Sequence, residues 1–167
     1  EHSIAWKIAQ SELVDEVIAA PGNVGISKET KCRSVGVSSD DIPGLLDLAI
    51  KEKIDLTVVG PEAPLCAGLT DTFASRGLKV FGPSFKAARL EGSKVFAKSL
   101  MQKYNIPTAG FQAFENFEEA KAALSDCPFA TVIKADGLAA GKGVFVCEDH
   151  AEALEALDTI MNRKVFG

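Results

Sequence analysis

This sequence lacks most of the features that mark a metal centre, a disulfide framework or a membrane segment. It has only two histidines, and its four cysteines lie far apart with no C-x-x-C pair. Because zinc ligands and structural disulfides come in closely or regularly spaced sets, we interpret the cysteines as reduced, small apolar residues. No apolar run is long enough to span a membrane, and no signal-peptide pattern is present. We therefore expect a cytoplasmic protein that does not bind a membrane.

A surplus of basic residues is also absent. Lysine and arginine total 18 against 23 acidic residues, which gives a net charge of −5. Proteins that bind nucleic acid usually carry a basic surplus or a basic stripe, so nucleic acid is not an expected partner. The 167 residues, 47% hydrophobic and 25% charged, fit one globular domain or one and a half small ones.

Hydrophobic periodicity divides the chain into two parts, which we predict to be domains at residues 1–88 and 89–167. In the first part, helices are predicted at 2–12, 42–53, 65–75 and from 85, and strands at 16–20, 32–37, 54–59 and 78–81. Strands that alternate with helices predict an α/β domain with a doubly wound parallel sheet. The second part is predicted to be α+β, with helices at 94–103, 117–124 and 152–161 and strands at 111–114, 131–133 and 144–146.

Polar turns follow the strands of the predicted parallel sheet. They are Pro21-Gly22-Asn23, Gly60-Pro61-Glu62 and the turn at 82–84. Ligands of such sheets bind beyond the carboxyl ends of the strands, so we expect a small polar ligand at this edge. The carboxylate of Glu62 is a candidate contact. The alternative for Glu62 is a purely structural charge that complements the dipole of the following helix.

A glycine-rich loop lies between the two β-branched runs at 131–133 and 144–146. It contains three glycines and is accompanied by two lysines: Lys134, Gly137, Gly141, Lys142 and Gly143. Backbone amides in such a loop, together with two ammonium groups, can cover a polyphosphate. The alternative is a surface hairpin with a flexible tip.

Two well-known phosphate-binding motifs do not fit this loop. A P-loop needs four residues between its first glycine and the Gly-Lys pair, followed by serine or threonine. Here three residues separate Gly137 from Gly141, and Gly143 follows Lys142. P-loops and dinucleotide fingerprints also continue into a helix, whereas residues 144–146 are predicted to be a strand. The pattern therefore indicates a strand–loop–strand phosphate cover.

Taken in order, several motifs resemble the glycinamide ribonucleotide synthetase (phosphoribosylamine–glycine ligase) family of ATP-grasp enzymes. The resemblance spans essentially the whole chain. It rests on EH at 1–2 with AWK at 5–7, APGN at 20–23, DLTVVGPEAPL at 55–65, FGP at 81–83, LEGSK at 90–94 with FAK at 96–98, IPT at 106–108, and KADGLAAGKGV at 134–144. Seven motifs in the right order make this resemblance specific.

The resemblance implies a fold and a reaction. The first domain would be the α/β domain that helps to hold 5-phosphoribosylamine, and the second would begin the ATP-grasp fold that clamps ATP. The implied reaction joins glycine to 5-phosphoribosylamine through glycyl phosphate, and ATP becomes ADP and phosphate. Its implied partners are these small-molecule substrates. Catalysis would consist largely of positioning and charge neutralisation at the transferred phosphoryl group.

The resemblance also assigns residues by position. Lys94 and Lys134 match the two ATP-grasp lysines that reach the nucleotide phosphates. Gly137, Gly141, Lys142 and Gly143 match the loop that closes over the triphosphate. Gly60, Pro61 and Glu62 match the part of the first domain that faces the ribosylamine, and Pro21, Gly22 and Asn23 are expected to line the same pocket. No residue of this chain is assigned as catalytic.

Some parts of the family pattern do not occur in these residues. The family's first strand and a loop ending in Gly-Gly-Arg would precede Glu1, and its carboxyl half would carry the acidic Mg²⁺ ligands. No group of carboxylates here has the character of a magnesium site, so these ligands are expected outside residues 1–167. From this we expect a chain truncated at both ends, which alone neither binds ATP tightly nor turns over.

Two alternatives stay open. Another ATP-grasp carboxylate–amine ligase would share the phosphate-binding residues, although the motifs at 20–23 and 60–65 favour the glycine ligase. A non-catalytic nucleotide-binding or interaction module would keep half of the fold. The intact lysines and glycines of the loop argue against a loss of function.

Overall fold

A computed structural model describes residues 1–127, 131–139 and 141–166. The chain divides into two compact units, Glu1–Ala88 and Arg89–Gly167, each with its own hydrophobic core. None of the described helices is long and apolar enough to cross a membrane.

The first unit alternates helices with short strands. Its elements are α1 (His2–Ala9), β1 (Val17–Ala19), β2 (Cys32–Ser34), α2 (Ile42–Lys51), β3 (Thr57–Val58), α3 (Glu62–Cys66), α4 (Leu69–Ser75) and β4 (Val80–Phe81), with a 3₁₀ turn at Ile26–Lys28. Helix α5 (Phe85–Gly92) follows and spans the boundary between the units after Ala88. The strands form two parallel pairs, β1 with β2 and β3 with β4. Parallel strands joined through helices are the arrangement predicted for an α/β fold.

The core of the first unit lies between the helices and the β3–β4 pair. Leu46 and Ala49 of α2 pack with Leu69 and Phe73 of α4, and Phe73 is only 1% exposed. Helix α2 begins where predicted because the Asp41 carboxylate accepts a hydrogen bond from Gly44 N at 3.0 Å. The apolar spacing of both helices therefore turns one side of each towards this core.

Two helices of the first unit differ from the prediction. The single helix predicted at 65–75 is two helices, because Gly68 takes a left-handed φ of +85° and starts α4 afresh. Helix α1 ends at Ala9 rather than near residue 12. The Ser11 hydroxyl and carbonyl accept hydrogen bonds from Leu13 N and Val14 N, which form a turn in place of further helix.

The described residues of the second unit form three further helices and one hairpin. Its elements are α6 (Lys94–Lys103), α7 (Phe117–Leu124), β5 (Thr131–Lys134), β6 (Val144–Cys147) and α8 (His150–Leu157), followed by a π-helical turn at Asp158–Asn162. β5 and β6 pair antiparallel, with Lys134 opposite Val144 and Thr131 opposite Cys147. The hairpin predicted around the glycine-rich loop is therefore present.

Helices α7 and α8 pack against one face of this hairpin. Their buried residues form a cluster with Cys147: Ala120, Leu124, Ala153, Ala156 and Leu157. Ile133 and Phe145 of the hairpin pack on this cluster. Small alanines at the contact allow the helices to approach the sheet closely.

The strand predicted at 111–114 is not formed, so that prediction is wrong. A strand needs a neighbouring strand for its backbone hydrogen bonds, and the described residues provide none for this segment. Lys98 instead donates to Thr108 Oγ1 at 2.7 Å and to the Ala109 carbonyl at 2.9 Å. The alternation of apolar residues at 111–114 was too short to distinguish a strand from an extended loop.

Candidate functional site

The glycine-rich loop begins directly at the end of β5 and returns into β6. Ala135 N donates to the Gly143 carbonyl at 2.8 Å, which extends the strand pairing by one step beyond Lys134. Gly137 and Gly141 have left-handed φ values of +91° and +76°, which only glycine adopts without strain. Ala140, within the loop, lies outside the described residues.

Gly143 meets a different requirement. It is buried, and a Cβ atom at this position would lie 2.6 Å from Ala139 Cβ and 3.1 Å from Ala135 Cβ. The loop therefore folds back tightly on its own base, with Lys142 N donating to the Ala139 carbonyl at 2.8 Å. The Lys142 side chain is exposed at the tip.

The hairpin presents an exposed apolar face next to this loop. The face carries three valines and a lysine: Val132, Lys134, Val144 and Val146. They share one face because side chains alternate along a strand and the pairing places Val132 opposite Val146. A ligand on this face would meet an apolar surface and, at the loop end, the Lys134 ammonium.

Helix α6 begins at the base of the loop. Lys94, the first residue of α6, donates from Nζ to the Gly137 carbonyl at 2.9 Å. Two of the predicted site residues, 43 positions apart in the chain, are therefore in direct contact. An ammonium group has three N–H donors, and this is the one hydrogen bond that Lys94 Nζ makes among the described residues.

Asp136 makes a second connection between the loop and α6. Its Oδ2 accepts from Ser93 Oγ at 2.9 Å, and its Oδ1 accepts from Val95 N at 3.1 Å. Burial of this carboxyl would raise its pKa, but hydrogen bonds from the backbone of Val95, the Ser93 hydroxyl and the Lys94 and Gly137 amides lower the pKa below its usual value. Asp136 was not among the predicted site residues. The one feature of the sequence that could have indicated this role is the position of an acidic residue between the end of β5 and the first glycine of the loop.

In the first unit, the residues predicted to bind substrate lie in two loops. Gly60 and Pro61 lie between β3 and α3, and Glu62 is the exposed first residue of the five-residue helix α3. Pro21 directly follows Ala20 and, like Asn23, is exposed beyond the end of β1. These are the carboxyl ends of parallel strands, as predicted.

Gly22 and Asn23 have clear structural functions. Gly22 has a left-handed φ of +70°, and a side chain there would collide with Ser34 of β2. Asn23 Oδ1 accepts a hydrogen bond at 3.0 Å from the backbone N–H of Ile26, the first residue of the 3₁₀ turn. Their presence is therefore explained without a ligand, whereas Glu62 makes no side-chain hydrogen bond or ion pair among the described residues.

The start of α1 lies against both loops of the first unit. A Cβ atom at Gly60 would lie 3.0 Å from Glu1 Cγ, and one at Gly25 would lie 2.8 Å from the His2 ring. His2 Nε2 also hydrogen-bonds with Glu29 Oε1 at 2.8 Å. The sequence identified Glu1 and His2 only as part of a motif, and their place beside both loops depends on the fold.

Within the described part of the chain, no three His, Cys, Asp or Glu residues lie close enough together to hold a metal ion. The described residues therefore do not by themselves provide a complete Mg²⁺ site.

A unit of parallel strands and helices, followed along the chain by a unit with helices and a glycine-rich hairpin, places this chain among mixed α/β proteins. Similar folds occur in solved structures. The biotin carboxylase domain of 2-oxoglutarate carboxylase from Hydrogenobacter thermophilus is 20% identical, with a TM-score of 0.76 over 99% of this chain and 40% of that one. At this identity the likeness concerns the fold alone.

The family follows from closer matches. Residues 1–91 match the family described as phosphoribosylglycinamide synthetase, N domain, and residues 92–167 match its ATP-grasp (A) domain. This chain belongs to the phosphoribosylglycinamide synthetase family. The phosphoribosylamine–glycine ligase of Thermotoga maritima is 32% identical, with a TM-score of 0.73 over 99% of this chain and 38% of that one.

Curated relatives agree with the family. The chain is 50% identical over its full length to the phosphoribosylamine–glycine ligase of Caldanaerobacter subterraneus subsp. tengcongensis, and 52% identical to that of Escherichia coli strain K12. It spans about 40% of the length of these relatives, 40% and 39% respectively.

Proposed function

We propose that this chain belongs to an ATP-dependent ligase that joins glycine to 5-phosphoribosylamine, giving glycinamide ribonucleotide, ADP and phosphate. In this reaction a glycine carboxylate oxygen attacks the γ-phosphorus of ATP, which forms glycyl phosphate and releases ADP. The amine nitrogen then attacks the glycyl carbonyl carbon, loses a proton and expels phosphate. The reaction belongs to purine biosynthesis.

The observation that carries this proposal is the arrangement of the hairpin and its loop. An apolar face of three valines suits the flat base of a nucleotide, and Lys134 at the end of that face suits its phosphates. Lys94 and the exposed Lys142 supply two further positive charges around the glycine-rich loop. We assign ATP binding to Lys94, Lys134, Gly137, Gly141, Lys142 and Gly143.

These residues would act by binding and charge neutralisation. The ammonium groups of Lys94 and Lys134 would hold the phosphates and offset the charge that develops on the transferred phosphoryl group. The loop amides would add hydrogen-bond donors, and the closed loop would exclude water. Mg²⁺, whose protein ligands are expected outside residues 1–167, would neutralise phosphate charge when bound.

We assign the binding of phosphoribosylamine to the first unit, residues 1–88, and the binding of the nucleotide to residues 89–167. Gly60, Pro61 and Glu62 would face the ribosylamine, with Pro21, Gly22 and Asn23 shaping the same pocket. Glu62 is the strongest of these six, since its exposed carboxylate has no structural partner among the described residues. A carboxylate can accept hydrogen bonds from ribose hydroxyl or amine groups.

The test is ADP release by the product of the complete reading frame, with each substrate omitted in turn. We expect release that requires both glycine and 5-phosphoribosylamine. ADP release that does not require glycine but depends on another carboxylate would support an ATP-grasp ligase with a different carboxylate substrate. A folded protein that uses no ATP would favour a binding or interaction module.

Single substitutions then test the assigned lysines. Lys134→Ala should lower kcat/KM by roughly 10- to 100-fold, the loss expected for one hydrogen bond to a charged group. Lys121→Ala, on the exposed side of α7, removes a lysine from the same unit and should leave the rate unchanged. Equal rates for Lys134→Ala and Lys121→Ala would remove Lys134 from the nucleotide site.

A further inference from the structure

The base and the tip of the glycine-rich loop differ in how they are held. At the base, Asp136 and Gly137 are bonded to the first turn of α6 through Ser93, Lys94 and Val95. At the tip, Gly141 and Lys142 are exposed. A loop that must close over a ligand needs a fixed base, because the position of its amides depends on the angle at which the chain leaves the strand.

We propose that Asp136 is a positioning residue that fixes the base of the glycine-rich loop to the start of α6, and so places the loop and Lys94 for ATP. The inference rests on the proposed function, since it concerns how the same site is organised. Asp136 acts through its neighbours and is not assigned a contact with the nucleotide.

Geometry supports this assignment. The two carboxylate oxygens take separate donors, the Ser93 hydroxyl and the Val95 amide, so the side chain is held in two directions. A neighbouring hydrogen bond joins the loop and α6 in the other direction, because here the side chain belongs to α6: Lys94 Nζ donates to the Gly137 carbonyl of the loop. Together the two links restrict both the loop backbone and the Lys94 side chain.

Electrostatics agrees with the geometry. The Asp136 carboxylate lies at the amino end of the ten-residue helix α6, where the helix dipole favours negative charge. The hydrogen bonds from Val95, Ser93, Lys94 and Gly137 lower its pKa because they stabilise the charged form. The Lys94 ammonium is oriented separately, by its hydrogen bond to the Gly137 carbonyl next to Asp136.

Holding a loop in its binding conformation improves affinity because less order has to be imposed when the ligand binds. Loss of the anchor should therefore affect ATP much more than the other two substrates. In the complete enzyme, Asp136→Ala should raise the KM for ATP by about tenfold, with the KM values for glycine and 5-phosphoribosylamine unchanged. Asp136→Asn keeps the size and an acceptor oxygen, so its KM for ATP should fall between those of the wild type and Asp136→Ala.

A second measurement does not depend on activity. Without nucleotide, trypsin should cleave after Lys142 several times faster in Asp136→Ala than in the wild type, while cleavage after Lys121 in α7 should not change. Glu155→Ala, which removes an exposed carboxylate from α8, is the matched control for both measurements. Ser93→Ala, which removes one donor to Asp136, should give a smaller change in the same direction.

The outcomes separate this proposal from the proposed function. Faster cleavage together with a raised KM for ATP in Asp136→Ala supports it. An unchanged KM for ATP in an active variant overturns it, and so does a uniform loss of stability with unchanged KM values. If the wild type uses no ATP, the proposed function fails, and the cleavage pattern alone then decides whether Asp136 anchors the loop. If Asp136→Ala does not fold, Asp136→Asn and Ser93→Ala carry the same test.

Discussion

At the scale of single residues, the glycines of the loop satisfy different physical demands. Gly137 and Gly141 have left-handed backbone angles, whereas Gly143 is required by the close approach of Ala139. The sequence grouped all three as contacts of a polyphosphate. The structure shows that packing inside the loop is by itself enough to require glycine at position 143.

Gly143→Ala should therefore destabilise the second unit even without nucleotide. The added methyl group would lie 2.6 Å from Ala139 Cβ, and overpacking of this kind costs roughly 1–3 kcal/mol. The measurement is the urea midpoint of unfolding. Gly110→Ala is the control, because nothing lies within 4 Å of a Cβ atom there. Equal midpoints for the two variants would show that the loop can relax around the methyl group.

The carboxyl of Asp136 predicts a pH-dependent part of the stability. Partial burial would raise its pKa, but its hydrogen bonds from Val95, Ser93, Lys94 and Gly137 lower it overall. A group with a lowered folded-state pKa stabilises the fold above its unfolded pKa, and the contribution disappears as the pH falls through the folded-state value. The advantage of the wild type over Asp136→Asn should therefore be full near pH 6 and should shrink below about pH 4.

Urea unfolding at about pH 6 and about pH 3 measures this difference. Glu155→Gln is the control, since this exposed carboxylate of α8 makes no side-chain hydrogen bond among the described residues. A difference between the wild type and Asp136→Asn that stays constant across this range would mean that the Asp136 charge contributes nothing to folding.

At the scale of elements, local rules predicted helix starts better than helix ends. Asp41 and Ser93 cap α2 and α6, and the Ser93 hydroxyl accepts from Phe96 N at 3.1 Å. These caps are visible in the sequence because they act within three residues. The break at Gly68 was missed, since an isolated glycine is compatible with a continuous helix and only the packed structure requires the turn there.

Gly68→Ala tests whether that break is needed. A side chain in the left-handed region costs roughly 1–2 kcal/mol, and the nearest atom to a Cβ at this position, Phe85 Cβ at 3.9 Å, adds no clash. The thermal midpoint should fall accordingly. Gly36→Ala, where nothing lies within 4 Å and φ is not left-handed, should leave it almost unchanged. An unaltered midpoint in Gly68→Ala would indicate that α3 and α4 can merge into one helix.

At the scale of the whole molecule, the two units have separate cores. The cluster around Phe73 and the cluster around Leu124 have no residue in common. Two parts that each bury their own apolar side chains can open separately, so their local stabilities need not change together.

Phe73→Ala should therefore weaken the first unit selectively. Removing this side chain costs about 3–5 kcal/mol and should accelerate amide hydrogen exchange in α2 and α4, with little change in α7 and α8. Leu124→Ala should give the reverse pattern at a cost of about 2–5 kcal/mol. Exchange that accelerates equally throughout both units in either variant would show that they unfold as one.

The sequence by itself determined most of the helices and strands, and the hairpin that flanks the glycine-rich loop. These depend on short-range rules of periodicity, capping and turn chemistry, and on motifs whose residues stand side by side. The prediction of a strand at 111–114 was wrong, because an extended segment becomes a strand only when a neighbouring strand pairs with it. The tertiary structure decided that Lys94 meets Gly137, that Asp136 meets Ser93 and Val95, and that Glu1 and His2 lie beside two loops. Residues about 40 positions apart are brought together by packing of whole elements, and no local pattern encodes which of them will touch.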